Sequence, residues 1–361
     1  MWVKNVKLFN FRNYIKEEIK LGQNINIIYG ENAQGKTNII EAIFLCSMGK
    51  SFRTKKEKEM INLNKENAIV EIEYQKSDRE GNIKIELGNK KSIYINDIKI
   101  KRLSELLGKI NIVIFKPDDI NIIQGDPQNR RRFLDIMISQ LRPTYMHTLS
   151  LYQKTIEQRN NYLKQIREEN KDENMLEIWD EKLAEYAIKI NKYRNEFLEK
   201  IKEKIYIIHK EITNDKEEIK IKYISDCEDK NKYLKLLKER RKLDIIKGFT
   251  TKGIHRDDFE IEINNKDLKT YGSQGQQRTA TLSLKLSELY VIYDEIGEYP
   301  ILLLDDFMSE LDKSRRENLI KNIKQKQVII TCTDKIVLEN LDYLEYNVQE
   351  GKIINNYNNK K

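Results

Sequence analysis

Gly30-Glu31-Asn32-Ala33-Gln34-Gly35-Lys36-Thr37 fits GxxxxGK[ST] at every position. The run Asn24–Tyr29 (NINIIY) ahead of it is β-prone, and Thr37–Cys46 (TNIIEAIFLC) behind it reads as a buried helix. That is the strand–loop–helix setting a phosphate-binding loop requires. Gly30 and Gly35 let the backbone curl so that the N–H groups of Glu31, Asn32, Ala33 and Gln34 face an anion, and the helix N-terminus adds its positive end. Lys36 is expected to reach the β- and γ-phosphates, and the Thr37 hydroxyl to be a Mg²⁺ ligand. A chance match in a chain of this length has odds of roughly one in a hundred before the flanking pattern is counted. The expected ligands are ATP and Mg²⁺.

Far downstream, Pro300-Ile301-Leu302-Leu303-Leu304-Asp305-Asp306 is a short apolar strand ending in two acids. A strand of a parallel sheet delivers its last residues to the ligand crevice at the carboxyl edge. Asp305 is therefore the expected second Mg²⁺ ligand. Asp306, one residue on, is expected with Lys36 to carry the chemistry by orienting the attacking water.

Between these motifs the texture changes. Residues 1–120 are strand-rich, with Ile69–Tyr74, Ile83–Leu87 and Ile110–Phe115 as further strands. Residues 121–245 are helical and highly charged. Leu149, Tyr152, Ile156, Leu163 and Ile166 fall at helical spacing, and Trp179, Leu183, Ile190, Phe197, Ile201, Ile205, Ile208 and Ile212 repeat it over roughly 35 residues, about 50 Å of helix. One apolar stripe per helix favours a two-helix antiparallel arm over a compact helical subdomain. Residues 246–361 return to mixed strands and helices, with Ile301–Leu304 and Val328–Thr331 as apolar strands. The fold class expected is α/β: one head built from 1–120 and 246–361, split by an inserted α-helical hairpin arm.

Tyr271-Gly272-Ser273-Gln274-Gly275-Gln276-Gln277-Arg278, ahead of a long amphipathic helix, resembles the signature motif of ABC-type ATPases. The resemblance implies that Ser273, Gly275 and Gln276 contact ATP held by a second copy, in an ATP-dependent homodimer. Ser309-Glu310-Leu311-Asp312 resembles the D-loop of the same class. Leu8-Phe9-Asn10-Phe11-Arg12-Asn13-Tyr14 is similar to the opening of SMC-like repair ATPases, which implies that Arg12 approaches the nucleotide. GKSFRT at Gly49–Thr54, PDDINIIQGDPQNRRRFLD at Pro117–Asp135 and GIHRDDF at Gly253–Phe259 extend the likeness, to the RecF family, over nearly the whole chain. An ABC/SMC-like head implies a weak, DNA-dependent ATPase. RecF-like proteins bind duplex, single-stranded and gapped DNA and work with RecO and RecR to load a recombinase.

The chain departs from the wider ABC pattern. Asp306 stands where Glu is usual, which implies slow turnover. Val328–Thr333 ends without the switch His, leaving Thr331 or Thr333 as the γ-phosphate sensor, and no Q-loop glutamine stands out.

The composition agrees without deciding. The 361 residues carry a net charge of +8, compatible with a polyanion partner. A Lys-, Ile- and Asn-rich composition explains the same number without one. Candidate DNA contacts are Lys50, Arg53, Lys55, Lys56, Arg130 and Arg131, each of which could instead pair with acids inside the head. No run of about 18 apolar residues marks a spanning helix, and the start lacks a secretory h-region, so a cytoplasmic protein is expected. The three cysteines are isolated and read as reduced packing residues. A transporter's nucleotide-binding subunit would share the phosphate loop and signature. The missing switch His and the helical insertion stand against it.

Overall fold

A computed structural model describes residues 1–77, 79–323, 326–338 and 341–359. The chain opens with β1 (Trp2–Phe11), β2 (Tyr14–Lys20), β3 (Ile25–Tyr29) and α1 (Lys36–Met48), then β4 (Ala68–Lys76), β5 (Arg79–Leu87), β6 (Ser92–Ile95), β7 (Ile98–Lys99) and β8 (Ile112–Phe115). The middle holds α2 (Asn121–Gln124), α3 (Pro127–Leu141), α4 (Pro143–Glu169), α5 (Leu176–Thr213), β9 (Ile219–Ile224), α6 (Lys230–Lys247), β10 (Asp258–Ile263), β11 (Lys266–Asp267) and α7 (Leu268–Tyr271). The last part holds α8 (Gln274–Ile296), β12 (Ile301–Asp305), α9 (Lys313–Ile323), β13 (Val328–Cys332), β14 (Tyr343–Gln349) and β15 (Lys352–Asn359).

Two compact units result: residues 1–119 with 285–361, and residues 120–284. The first contains a sheet ordered β15-β14-β3-β13-β12-β8, parallel except for the antiparallel edge strand β15. Strands β8, β12 and β13 are buried at every position, and β3 at all but its last. This is why they read as unbroken apolar runs: a parallel strand covered on both faces has no polar side to alternate with. The second sheet, β2-β1-β4-β5-β6-β7, is antiparallel, and β4 alternates buried and half-buried residues as a one-sided strand should. Helix α1 packs against β1, β4 and β5 of this sheet and against β12 and β13 of the other. Buried between two sheets, it has no use for a polar face, and Ile39 to Met48 are all buried.

In the second unit α4 and α5 form the expected hairpin. The pairs Tyr162–Trp179, Arg159–Asp180 and Tyr145–Arg194 fix their antiparallel register. The hairpin is not a bare two-helix seam. Arg159, fully buried, joins Asp180 of α5 at 2.7 Å to Asp244 of α6 at 2.8 Å. Arg194, 2% exposed, joins Asp135 of α3 at 2.9 Å to Asp257 at 3.0 Å. Guanidinium forks removed from water demand such partners, so four helices are pinned together. The boundary expected at 245 is corrected to Leu284. The reason is β-pairing: β9 runs antiparallel to β10, from Ile219 opposite Ile263 to Ile224 opposite Asp258. That pairing holds residues 246–284, signature motif included, in the helical unit.

Candidate active site: a phosphate loop closed on a carboxylate strand

Parallel pairing sets the site. Ile28 of β3 lies opposite Thr331 of β13, which lies opposite Asp305 of β12, so the carboxyl ends of the three strands are level. The loop Gly30–Gly35 leaves β3 with φ of 152° at Gly30, 65° at Ala33 and 120° at Gly35. Only glycine fits the two ends. A Cβ on Gly30 would lie 2.3 Å from the Val348 carbonyl oxygen, and one on Gly35 within 3 Å of Asn13 and the Tyr14 hydroxyl. Gly35 supplies no side-chain cap, so the first amides of α1 point into the loop as an anion site.

The loop is braced from both chain ends. Asn13, in the β1–β2 turn, donates to the Gln34 carbonyl at 2.7 Å and accepts from Asn38 at 2.7 Å. The β14–β15 turn brings the N–H of Glu350 to Gln34 Oε1 at 2.6 Å and that of Gly351 to the Gln34 carbonyl at 3.1 Å. Lys36 is buried, and its Nζ donates to the carbonyls of Gly30 at 2.7 Å and Glu31 at 2.8 Å. Glu31, Asn32 and Ala33 form the exposed crest.

The two acids have different settings. Asp305 is buried, and the hydroxyls of Thr37 and Thr331 both donate to its Oδ1, at 2.8 and 2.9 Å. Burial raises its pKa above the usual carboxylate range, the two hydroxyls opposing. Asp306 is half-buried in the left-handed region (φ 49°), and its N–H donates to Thr331 Oγ1 at 3.0 Å. Thr331 is thus enclosed between the acids. Of the two threonines left open as γ-phosphate sensors, Thr333 is the exposed one. Thr37 and Asp305 are hard oxygen donors on one point, which suits Mg²⁺, a cation that keeps waters and takes its other ligands from phosphates. Among the described residues no group of three or more His, Cys, Asp or Glu could hold a metal alone.

Several of the expected cations have partners within the protein. Arg12 lies beside the loop, but its guanidinium is engaged: Nε and Nη2 donate to Glu41 at 2.8 and 2.6 Å, and Nη1 to the Glu59 carbonyl at 2.5 Å. Glu41, fully buried, also takes Ser51 and, at 3.3 Å, Arg53. A lone acid inside TNIIEAIFLC was the available signal for this residue, since a buried carboxylate needs cations. Arg130 is no surface contact either. It is buried and forks onto Asp258 at 2.6 and 2.9 Å, and Arg131 donates to the Asp257 carbonyl at 2.6 Å. Their partners, the Asp258 carboxylate at the start of β10 and the Asp257 carbonyl just before it, lie more than 120 positions away in sequence, which leaves Arg130 buried and Arg131 half-buried. Lys50, Lys55 and Lys56 remain exposed.

In the helical unit the signature loop forms a capping box at the start of α8. Ser273 N–H donates to Gln276 Oε1 at 2.9 Å, and Gln276 N–H to Ser273 Oγ at 3.2 Å. Gln276 Nε2 then donates to Glu217 at 3.0 Å, and the other oxygen of Glu217 lies 3.2 Å from Nε2 of the fully buried His209, on α5. Sequence reading missed Glu217 and His209. Ser273 is exposed, Gly275 and Gln276 half-buried. The side chains of Ser309 and Glu310 in the expected D-loop lie outside the described residues.

Residues 2–354 match the family described as RecF/RecN/SMC N terminal domain. The chain is 45% identical over 362 residues to the DNA replication and repair protein RecF of Clostridium perfringens, covering 98% of this chain and 99% of that one. Among solved structures, the recombination mediator protein RecF bound to ATP superposes with a TM-score of 0.91 at 40% identity, over 98% of this chain and 97% of that one. The Smc head domain of Pyrococcus furiosus shares the fold, with a TM-score of 0.58 at 16% identity over 99% and 96% of the two chains.

Proposed function

The chain belongs to the RecF family within the RecF/RecN/SMC class, and from that premise we propose that it is an ATP-switched DNA-binding protein of replication and recombinational repair. The observation that carries the reading is the closure of the phosphate loop on the carboxylate strand, Thr37 Oγ1 to Asp305 Oδ1 at 2.8 Å, across 268 positions of sequence. The exposed loop amides and Lys36 take the triphosphate, the ammonium exchanging its two carbonyls for phosphate oxygens. Thr37 and Asp305 hold Mg²⁺, which when bound neutralises charge on the phosphates. Asp306 accepts a proton from, and so orients, the attacking water. Its short side chain reaches less far than a glutamate's, in keeping with slow hydrolysis. Arg12 reaches the nucleotide only if its pair with Glu41 opens.

Exposed Ser273 and half-buried Gly275 and Gln276 supply the second copy's contact, so ATP closes a homodimer and hydrolysis reopens it. The closed dimer binds duplex, single-stranded and gapped DNA, mainly through phosphates, and promotes recombinase loading with RecO and RecR in the cytoplasm. No helix among the described residues is long and apolar enough to cross a membrane.

The test is fluorescence anisotropy of a labelled gapped duplex with ATP-Mg²⁺, with ADP, and with Lys36→Arg, at two salt concentrations. Binding that needs ATP, is lost in the variant and weakens with salt is expected. Equal binding in every state overturns the switch.

A further inference from the structure

Arg130 is buried on Asp258 and Arg131 half-buried, and apart from them the helical unit carries a cavity of about 410 Å³ lined with cations. It is lined by Ile224 at the end of β9, Asp226, Lys247 at the end of α6, and Phe249, Lys252 and Arg256 beyond it. The size is that of a small-ligand site.

The charge in it is unevenly matched. Lys252 pairs with Asp226 at 3.1 Å. The other lining acid, Asp257, is buried and engaged by Arg194 at 3.0 Å and by the Tyr223 hydroxyl at 2.5 Å. Lys247 and Arg256 are exposed, and neither has a carboxylate within 4 Å among the described residues. Both lie over one ring: Lys247 Nζ is 5.9 Å and Arg256 Cζ 5.5 Å from the centroid of Phe249. The ring is 38% exposed, and Ile224, 41% exposed, adds apolar surface. A part-exposed aromatic ring accompanied by two cations that have no carboxylate partner is a combination that takes a base and its phosphate from a single strand. A duplex keeps its bases stacked and has no base to offer.

We propose that this cavity is a subsite for one unpaired nucleotide of a DNA strand, its phosphate held between Lys247 and Arg256 and its base against Phe249. The proposal rests on the DNA-binding reading and deepens it, since a gap exposes unpaired nucleotides.

The experiment titrates labelled 20-mer oligothymidylate, and an abasic 20-mer of equal charge, into the full chain carrying Phe249→Ala, Lys247→Ala with Arg256→Ala, or Lys235→Ala as a charge control on the same unit. All four side chains are exposed, so melting temperatures stay near wild type. Phe249→Ala is expected to weaken oligothymidylate binding about tenfold and to leave the abasic strand unchanged. The double variant is expected to lower the slope of log K against log salt by about 0.7, the share of one single-strand phosphate. Arg256→Lys restores part of the loss. Variants that bind like Lys235→Ala, or a wild type that binds both strands equally, overturn the subsite. If gapped duplex still binds with ATP in that case, the DNA reading survives it. No binding of any DNA overturns both. A glutamate-rich peptide whose binding depends on these residues while oligothymidylate binding does not would assign the cavity to a protein partner and sink the proposal.

Discussion

Replacing Thr331 by Val tests the geometry at the centre of the site. The hydroxyl is fully buried, donates to Asp305 Oδ1 at 2.9 Å and accepts the Asp306 N–H at 3.0 Å. Valine keeps the shape and removes both bonds. A bond to an ionised carboxylate contributes about 1.5–3 kcal/mol, and a stranded buried N–H costs about 1–3 kcal/mol. Thr37 still supports Asp305, and the added methyl recovers about 1 kcal/mol through burial. The net is about 3 kcal/mol. For a unit of this size that lowers the melting transition by about 6–12 °C. Thr331→Ser is the control: it keeps the hydroxyl, loses one methyl and costs about 1 kcal/mol. Calorimetry without nucleotide measures both, and steady-state phosphate release asks whether turnover falls more than the affinity for a fluorescent ATP analogue. That split is expected, because Asp306 loses the bond that fixes its left-handed backbone. If Thr331→Val melts within a degree or two of Thr331→Ser, the hydroxyl does not bridge the two acids and the reasoning is refuted.

Asp305→Asn keeps an oxygen for Thr37 and Thr331 but removes a charge whose folded pKa is raised by burial. A raised carboxyl stabilises the fold only while protonated, so the variant should melt higher at pH 7.5, by about 1 kcal/mol, with the gap narrowing as pH falls, and should lose Mg²⁺-dependent hydrolysis. His255 accepts from Tyr152 at 2.7 Å and donates to the Thr250 carbonyl at 3.0 Å, and burial lowers its pKa to about 4. Its contribution is present above pH 6.5 and lost toward pH 4, so chemical denaturation should show His255→Gln closing about 2 kcal/mol of its deficit between pH 7 and pH 5. Glu217→Ala should leave fluorescent-ATP binding intact while weakening ATP-driven dimerisation about tenfold in sedimentation velocity, with Glu217→Gln intermediate, because Gln276 loses its tether.

Local chemistry made part of this legible. Gly30 and Gly35 could be placed because only glycine fits their backbone, and β3, β12 and β13 because strands buried on both faces leave apolar runs. The S-x-x-Q of the signature carries a capping box in its spacing. What periodicity cannot encode is who meets whom across the chain. Arg130 at the start of α3 looks like a surface cation until Asp258, 128 positions on, is brought beside it. The 246–284 segment shows head-like texture, yet one antiparallel ladder with β9 assigns it to the helices. Nothing after Thr333 gave a signal, although β14 and β15 brace the phosphate loop.

That bracing explains why the first unit is assembled from both ends of the chain. A phosphate loop is mostly backbone amides, and an amide cradle left to itself relaxes when no anion is bound. Here Gln34 is held from two sides, by Asn13 near the start of the chain and by the turn at Glu350 and Gly351 near its end. The Val348 carbonyl stands close enough to Gly30 to exclude any side chain there, so the same hairpin fixes the entrance of the loop. Asp305, from a third segment, closes on Thr37 from the far side. The cradle therefore has its shape before a phosphate arrives, and less binding energy goes into ordering it. Lys36 is the one charged part left to be exchanged, since its ammonium rests on two carbonyls of the loop. On the function proposed above, ATP would exchange the partners of Lys36 within a frame already held by Asn13, Glu350, Gly351 and Asp305.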